Sequence, residues 1–145
     1  MPNPRHTIST DSSRFDVEMI HQFLTNCYWA EGVPREIVQR SIENAMCFGV
    51  FDGDKQVGFA RVITDRATYA YIGDVFILES HRRQSLSKLL MKAIMEHPEL
   101  QGLRRWSLVT NDAHGLYQQF GFRPLANPQR HMELVNPDVY KRKRH

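Results

Sequence analysis

Apolar residues recur along this chain with two different periods, and the changes of period mark its elements. After Asp11-Ser12-Ser13, which supply capping side chains, Phe15, Met19, Ile20, Phe23 and Leu24 fall at three- and four-residue intervals and predict an amphipathic helix that gives out near Cys27. An aromatic loop, Tyr28 to Val33, follows. Pro34 then opens a second helix over Glu36–Asn44, with Ile37, Val38 and Ile42 on one side. From Cys47 the pattern becomes that of strands. Cys47–Phe51 and Gln56–Ile63 are joined by Asp52-Gly53-Asp54-Lys55, a turn with glycine where positive φ is required, so they read as an antiparallel hairpin. Asp65–Thr68 makes the next turn and Tyr69–Leu78 a third strand, while His6–Thr10 suits a short edge strand.

Beyond Leu78 the helical period returns. Leu86, Leu89, Leu90 and Ala93 predict a helix from about Ser85 to His97, stopped by Pro98. Trp106–Val109 is a short strand, and a right-handed crossover makes it the parallel neighbour of Tyr69–Leu78. Ala113–Phe120 is a short helix with Gly121 at C′, and Phe122–Leu125 and His131–Val135 are expected to form a last pair of strands. The expectation is an α/β (α+β) fold: a mixed, mostly antiparallel sheet with one splayed parallel pair, flanked by helices. One domain accounts for residues 1–145, with 1–5 and 138–145 as flexible tails.

The junction after Tyr69–Leu78 carries the chemistry. A strand, a polar turn and a helix start place unpaired N–H groups and partial positive charge at one spot, which suits a phosphate, and Arg82, Arg83 and Lys88 add the same sign. The run Arg82-Arg83-Gln84-Ser85-Leu86-Ser87 resembles the acetyl-CoA pyrophosphate loop of the GNAT superfamily of N-acetyltransferases, Arg or Gln followed by x-x-Gly-x-Gly or Ala. Asn111 to Phe122, with Leu116-Tyr117 and Gly121-Phe122, resembles that family's second signature. Both family glycines are serines here, Ser85 and Ser87. A left-handed backbone at either costs about 1–2 kcal/mol; the expectation is that both lie in the first helical turn with negative φ and their hydroxyls free for phosphate.

The resemblance implies acetyl transfer from acetyl-CoA to an amine by direct attack in a ternary complex. Arg82, Arg83, Gln84, Ser85, Leu86, Ser87 and Lys88 would hold the pyrophosphate. Phe76, Ile77, Leu78 and Asn111 would lie along the pantetheine arm. Tyr117 would protonate the leaving sulfur, or else only pack the cleft. Asp74 interrupts an apolar strand, and an unpaired charge there is costly; it either orients an ammonium or relays its proton, or it pairs with Arg61 or Arg66. Gly73 stands where polyamine-acetylating relatives carry a second acid. Glu79, His81, Asp112 and His114 are lesser base candidates. Tyr28, Trp29 and Glu31, in the helix–loop–helix that covers the acceptor in that family, are candidate substrate-wall residues.

Composition narrows the alternatives. The sequence is 41% hydrophobic and 24% charged, ordinary for a globular domain, and has no apolar run near the roughly 18 residues of a membrane span and no signal-peptide core, so a cytoplasmic protein is expected. Cys27 and Cys47 read as reduced thiols, and no His, Cys or carboxylate spacing implies a metal. The net charge of +3 owes much to Lys141–His145, a short basic end that could touch nucleic acid but is more often a solvated terminus, so nucleic acid is not the partner expected. The partner expected is a small-molecule or peptide amine, with a homodimer a candidate assembly through exposed C-terminal strands. The rival reading is a CoA-binding or interaction module in which Ser85 and Ser87 have cost efficient catalysis.

Overall fold

A two-residue turn sets the register of the sheet. In the computed structural model, which describes residues 3–141, Gly53 takes φ 61° between β2 (Met46–Asp52) and β3 (Lys55–Thr64), so Asp52 pairs with Lys55; an extra residue at Val57 then shifts the ladder by one, and the hairpin runs on to Met46 opposite Val62. Every residue from Met46 to Phe51 is buried, as in a strand covered on both faces. β1 (His6–Ser9) adds to the outer edge of β2, and β4 (Tyr69–Ile77) to β3, both antiparallel. Asp65 organises the β3–β4 turn: its carboxylate accepts from the backbone N–H of Ala67, Thr68 and Tyr69 and from the Thr68 hydroxyl. β5 (Arg105–Leu108) closes the order β1-β2-β3-β4-β5 as a parallel neighbour of β4.

Helices cover the two faces of this sheet and give it two cores. α3 (Leu86–Glu96) places Leu86, Leu90, Met91 and Ile94 against Phe48, Val50, Val62 and Ile72, with α4 (His114–Gln118) contributing Tyr117. On the other face α1 (Val17–Thr25) and α2 (Arg35–Glu43) bury Ile20, Leu24, Val38 and Ile42 against Phe51, Phe59 and Phe76. Asp16 caps α1 by accepting from Met19 N–H at 3.1 Å, and its own N–H is held at 2.7 Å by Gln56, a buried amide whose other end donates to the Gly58 carbonyl. Pro34 precedes α2, with its fixed φ of −68°. α4 ends as its glycine predicts. Gly121 (φ 94°) donates to Gln118 O and Phe122 to Tyr117 O, a Schellman pair, and the Phe122 ring meets Tyr117 edge-on.

The C-terminal strands are a correction. Phe122–Leu125 and His131–Val135 form no ladder; they are irregular, apart from a turn at Pro128–Arg130 between them, and Met132 and Leu134 are almost wholly exposed. Alternating apolar residues make a strand only where a sheet edge receives them. Two further differences are small: Phe15 lies before α1 yet is buried beside Phe59, and Leu78 lies just past β4 although its N–H still bonds Val57 O. Residues 138–141, placed in the expected tail, form a turn in which Tyr140 is half-buried against the second core, with its carbonyl oxygen and Cβ next to Gly32. The basic run 142–145 and residues 1–2 lie outside the described residues.

Gly58 sits where β3 and β4 approach closely: a Cβ there would lie 2.9 Å from the Phe76 carbonyl oxygen and 2.7 Å from the tip of Ile77. Gly58→Ala therefore forces the strands apart and should lower stability by about 1–3 kcal/mol, read as a reduced urea midpoint with an unchanged slope.

Candidate active site

The site begins at an irregularity in β4. Arg61 pairs with Gly73 and Phe59 with Phe76, so Asp74 and Val75 together face the single residue Ala60: a β-bulge. Asp74 takes φ 52°, the left-handed region that aspartate tolerates better than most residues. Its carboxylate is held from both sides, Oδ1 by Trp29 Nε1–H at 2.9 Å and Oδ2 by Arg61 Nε–H at 2.8 Å, with both members of the ion pair mostly shielded from solvent. Charge-assisted bonds of about 1.5–3 kcal/mol each exceed a left-handed strain of about 1–2 kcal/mol, so the partners hold the bulge. β4 is parallel to β5 only from Tyr69 to Ile72, and from Gly73 onward the two strands separate.

That splay opens into a cavity of about 500 Å³ between β4, the α1–α2 loop and the β5–α4 loop. Tyr28, Trp29, Arg61, Tyr71, Asp74 and Tyr117 are among its lining residues, and Tyr140 closes one side. Tyr28 and Trp29 meet edge to face at 5.2 Å, and the Tyr28 hydroxyl accepts from Asn111 Nδ2 at 2.9 Å, tying the loop before α2 to the loop before α4. Arg61 uses only Nε in its pair. Its two terminal nitrogens have no hydrogen-bond partner among the described residues, yet no unpaired side-chain nitrogen is buried, so they reach solvent.

A second cleft, about 380 Å³, lies at the start of α3 and is lined by Ile77, His81, Arg82, Arg83, Ser85, Leu86, Ser87 and Lys88 with Leu116 and Gln119. The first backbone bond of the helix runs from Leu89 N–H to Ser85 O, and no side chain caps the end, so the N–H groups of Leu86, Ser87 and Lys88 are unpaired among the described residues. Arg82 Nε donates to Ile77 O at 3.1 Å, fastening the turn to the end of β4. Here the sequence expectation is corrected in half. Ser87 lies inside α3, but Ser85 takes φ 60° and Arg83 φ 65°, so the turn keeps a left-handed backbone at the first of the two serines. A chain leaving a strand and entering a helix this abruptly needs that reversal, and the side chain accommodates it.

Burial, with Asp112 nearby, pushes the Tyr117 phenol above its ordinary range. Burial does the same to Tyr71, with Asp74 adding to it, and to Cys27; the Cys47 thiol is pushed up to about 12 and is inert at neutral pH. Among the described residues no group of three or more His, Cys, Asp or Glu could hold a metal, and no helix is long and apolar enough to cross a membrane.

The residues singled out in the sequence are distributed unevenly. Tyr117, Asp74, Tyr28, Trp29 and Asn111 come together around the larger cavity; Ile77, Arg82, Arg83, Ser85, Leu86, Ser87 and Lys88 line the cleft. Glu31 and Gln84 are exposed and line neither, and Leu78 lies outside both. Phe76 is buried in the second core, its ring stacked on Phe23 at 3.9 Å. Arg61 was named only as a partner for Asp74, which it is, and Tyr71 and Tyr140 were missed. The signal for the bulge was a glycine followed by an aspartate inside an apolar strand. Tyr140, far away in sequence, gave none.

The sequence model described as the acetyltransferase (GNAT) family matches residues 17–122. A crystal structure of a GNAT-family protein from Xanthomonas campestris pv. campestris superposes with a TM-score of 0.92 at 51% identity, covering 96% of this chain and 99% of that one. A protein of Gibberella zeae is 27% identical over 77% of this chain and 75% of its own length. Both carry the description "putative acetyltransferase".

Ser85→Gly tests the backbone directly. Relief of a left-handed strain of about 1–2 kcal/mol, less about 0.4–1 kcal/mol for the more flexible unfolded chain, should stabilise the protein by up to about 1.6 kcal/mol. Urea unfolding without ligand reads this, and Ser85→Ala should show no such gain.

Proposed function

The chain belongs to the acetyltransferase (GNAT) family, and from that premise we propose that it transfers the acetyl group of acetyl-CoA to an amine by direct attack in a ternary complex. The observation that carries the reading is the placement of the buried Tyr117 phenol at the splay between β4 and β5, beside a cleft with three unpaired N–H groups. Those groups, on Leu86, Ser87 and Lys88, would receive the pyrophosphate, with the charges of Arg82, Arg83 and Lys88 and the polar side chains of Gln84, Ser85 and Ser87 around it. Main-chain groups of Phe76, Ile77 and Leu78 would meet the amide-bearing arm much as an added strand does, with Asn111 across from them.

In the reaction the neutral amine nitrogen bonds to the thioester carbon. Negative charge gathers on the carbonyl oxygen, and a backbone N–H of Val75–Ile77 is the donor proposed to stabilise it. The carbon–sulfur bond then breaks, and Tyr117 gives its proton to the departing thiolate; a phenol held above its ordinary pKa stays protonated for that step. The proton lost by the amine passes to water in the cavity. Asp74, committed to Arg61 and Trp29, acts as a positioning residue that keeps the bulge and the cavity wall in place. The alternative, a CoA-binding module without efficient catalysis, rests on Ser85; it predicts CoA binding with no thiol release for any amine.

Arg61 points to the acceptor. The Arg61–Asp74 pair is net neutral, but the two terminal nitrogens of Arg61 are free to donate, so the amine proposed carries a hydrogen-bond acceptor as well, a carboxylate or a carbonyl, held between Arg61 and the aromatic wall of Tyr28 and Trp29.

Tyr117→Phe should lower kcat for acetyl-CoA-dependent thiol release by about 10²–10⁴-fold while calorimetry finds CoA affinity unchanged. Equal turnover in the two proteins removes the acid role. Arg61→Lys, which removes the Nε–H that holds Asp74 as well as the terminal fork, should lower kcat/KM for all amines, and by about a further 10–100-fold for those bearing a carboxylate.

A further inference from the structure

One face of the sheet is covered only in part. Arg61 pairs with Gly73 and Ile63 with Tyr71, so these four share a face of β3 and β4, and Tyr69, two residues before Tyr71, falls on it as well. At Phe59 that face lies beneath α1 and α2 in the second core. Past Arg61 the cover stops: Ile63 is 44% exposed and Tyr69 39%, and neither belongs to either core. Tyr69 is nonetheless held in place, because its hydroxyl is hydrogen-bonded to that of Ser107 on β5.

Tyr71 joins this shelf to the larger cavity. It lines the cavity together with Arg61 and Gly73, and its ring lies across Gly73, where a Cβ would come within 3.2 Å of Cε1. Gly73 has no positive φ, so what the glycine supplies is room for the ring rather than a turn. A ring laid along the strand in this way gives the cavity an apolar floor. From Gly73 to Tyr69 the shelf runs for roughly 13 Å, at about 3.3 Å per residue. Its charges stand at its two ends and are both positive, Arg61 inside the cavity and Arg105 opposite Tyr69 on β5.

We propose that Tyr71 sets the class of acceptor: the cavity takes an amine whose neighbouring carbon bears a carbonyl group and an apolar, above all aromatic, side group. The carbonyl accepts from the free terminal nitrogens of Arg61, the side group lies on the Tyr71 ring, and its outer end passes over Ile63 and Tyr69. This rests on the reading of the larger cavity as the acceptor site. An acceptor that ends at Arg61 leaves the ring of Tyr71 and the shelf beyond it in water, whereas a flat apolar group covers them and gains offset stacking as well. A cationic body is disfavoured there, since Asp74 is already paired and the charges at both ends of the shelf are arginines.

Calorimetry on the full chain with glycinamide and phenylalaninamide, with and without CoA, which has no acetyl group to give, reads this apart from turnover. The wild type should bind phenylalaninamide about tenfold or more tightly than glycinamide. Tyr71→Ala should bring that ratio below about threefold, and Tyr71→Phe, which keeps the ring, should retain it. Should Tyr71→Ala fail to fold, Gly73→Ala gives a second reading: its methyl displaces the ring and should lower the ratio by about threefold. A chain that shows the preference but releases no thiol from acetyl-CoA loses the acetyl-transfer reading and keeps this one; thiol release with equal affinity for the two amides does the reverse. Binding of neither amide at millimolar concentration, or a ratio unmoved by Tyr71→Ala, overturns the proposal. So does self-association in sedimentation velocity that Ile63→Glu abolishes, because the shelf is then covered by a second copy rather than by the acceptor.

Discussion

The carboxylate of Asp74 is the constraint on which the site depends. A residue in the left-handed region within a sheet persists only when its surroundings hold it there, and here two donors do so: the Arg61 guanidinium from the neighbouring strand and the Trp29 indole from a loop between helices. Through these bonds the bulge, the sheet and the α1–α2 loop form one unit. The consequence is geometric. β4 gains a residue, twists, and parts from β5 at Ile72, and the space between them becomes the cavity.

The two chemical regions differ in how they are built. The cleft at the start of α3 is mainly a backbone device, in which unpaired N–H groups are exposed by a turn whose reversals fall on Arg83 and Ser85. Backbone N–H groups are presented alike whatever the side chain, so a serine can stand where a glycine would be easier, at a modest cost in strain. The larger cavity is a side-chain device. Its walls come from five separate stretches of chain, from the α1–α2 loop to Tyr140, and hydrogen bonds such as Tyr28–Asn111 set their spacing.

Sheet and helices were legible in the sequence wherever a local pattern decides structure. The hairpin at Gly53, the Schellman end at Gly121, the parallel crossover to β5 and the faces of α1, α2 and α3 all follow from turn chemistry and apolar spacing within a few residues. The positions of the turn before α3 and of Tyr117 on α4 follow in the same way, because their motifs are contiguous. Ser85 was misjudged, since serine's preference for helix N-termini says nothing of how sharply the chain must turn to leave β4. The last two strands were misjudged for a different reason: alternation at His131–Val135 is real, but a strand exists only in a ladder, and the pattern does not name its partner.

By itself the sequence determined the order and kind of the elements from β1 to α4, the antiparallel meander, and a turn suited to a phosphate before α3, because each is encoded by neighbours along the chain. Only the tertiary structure decided that Asp74 sits in a bulge held by Arg61 and Trp29, that Tyr140 returns to the cavity, and that the segment after Arg130 stands unpaired. Those facts depend on which distant groups reach one another once the sheet has twisted, and a hydrogen bond across 45 residues leaves no periodic trace in the chain that makes it.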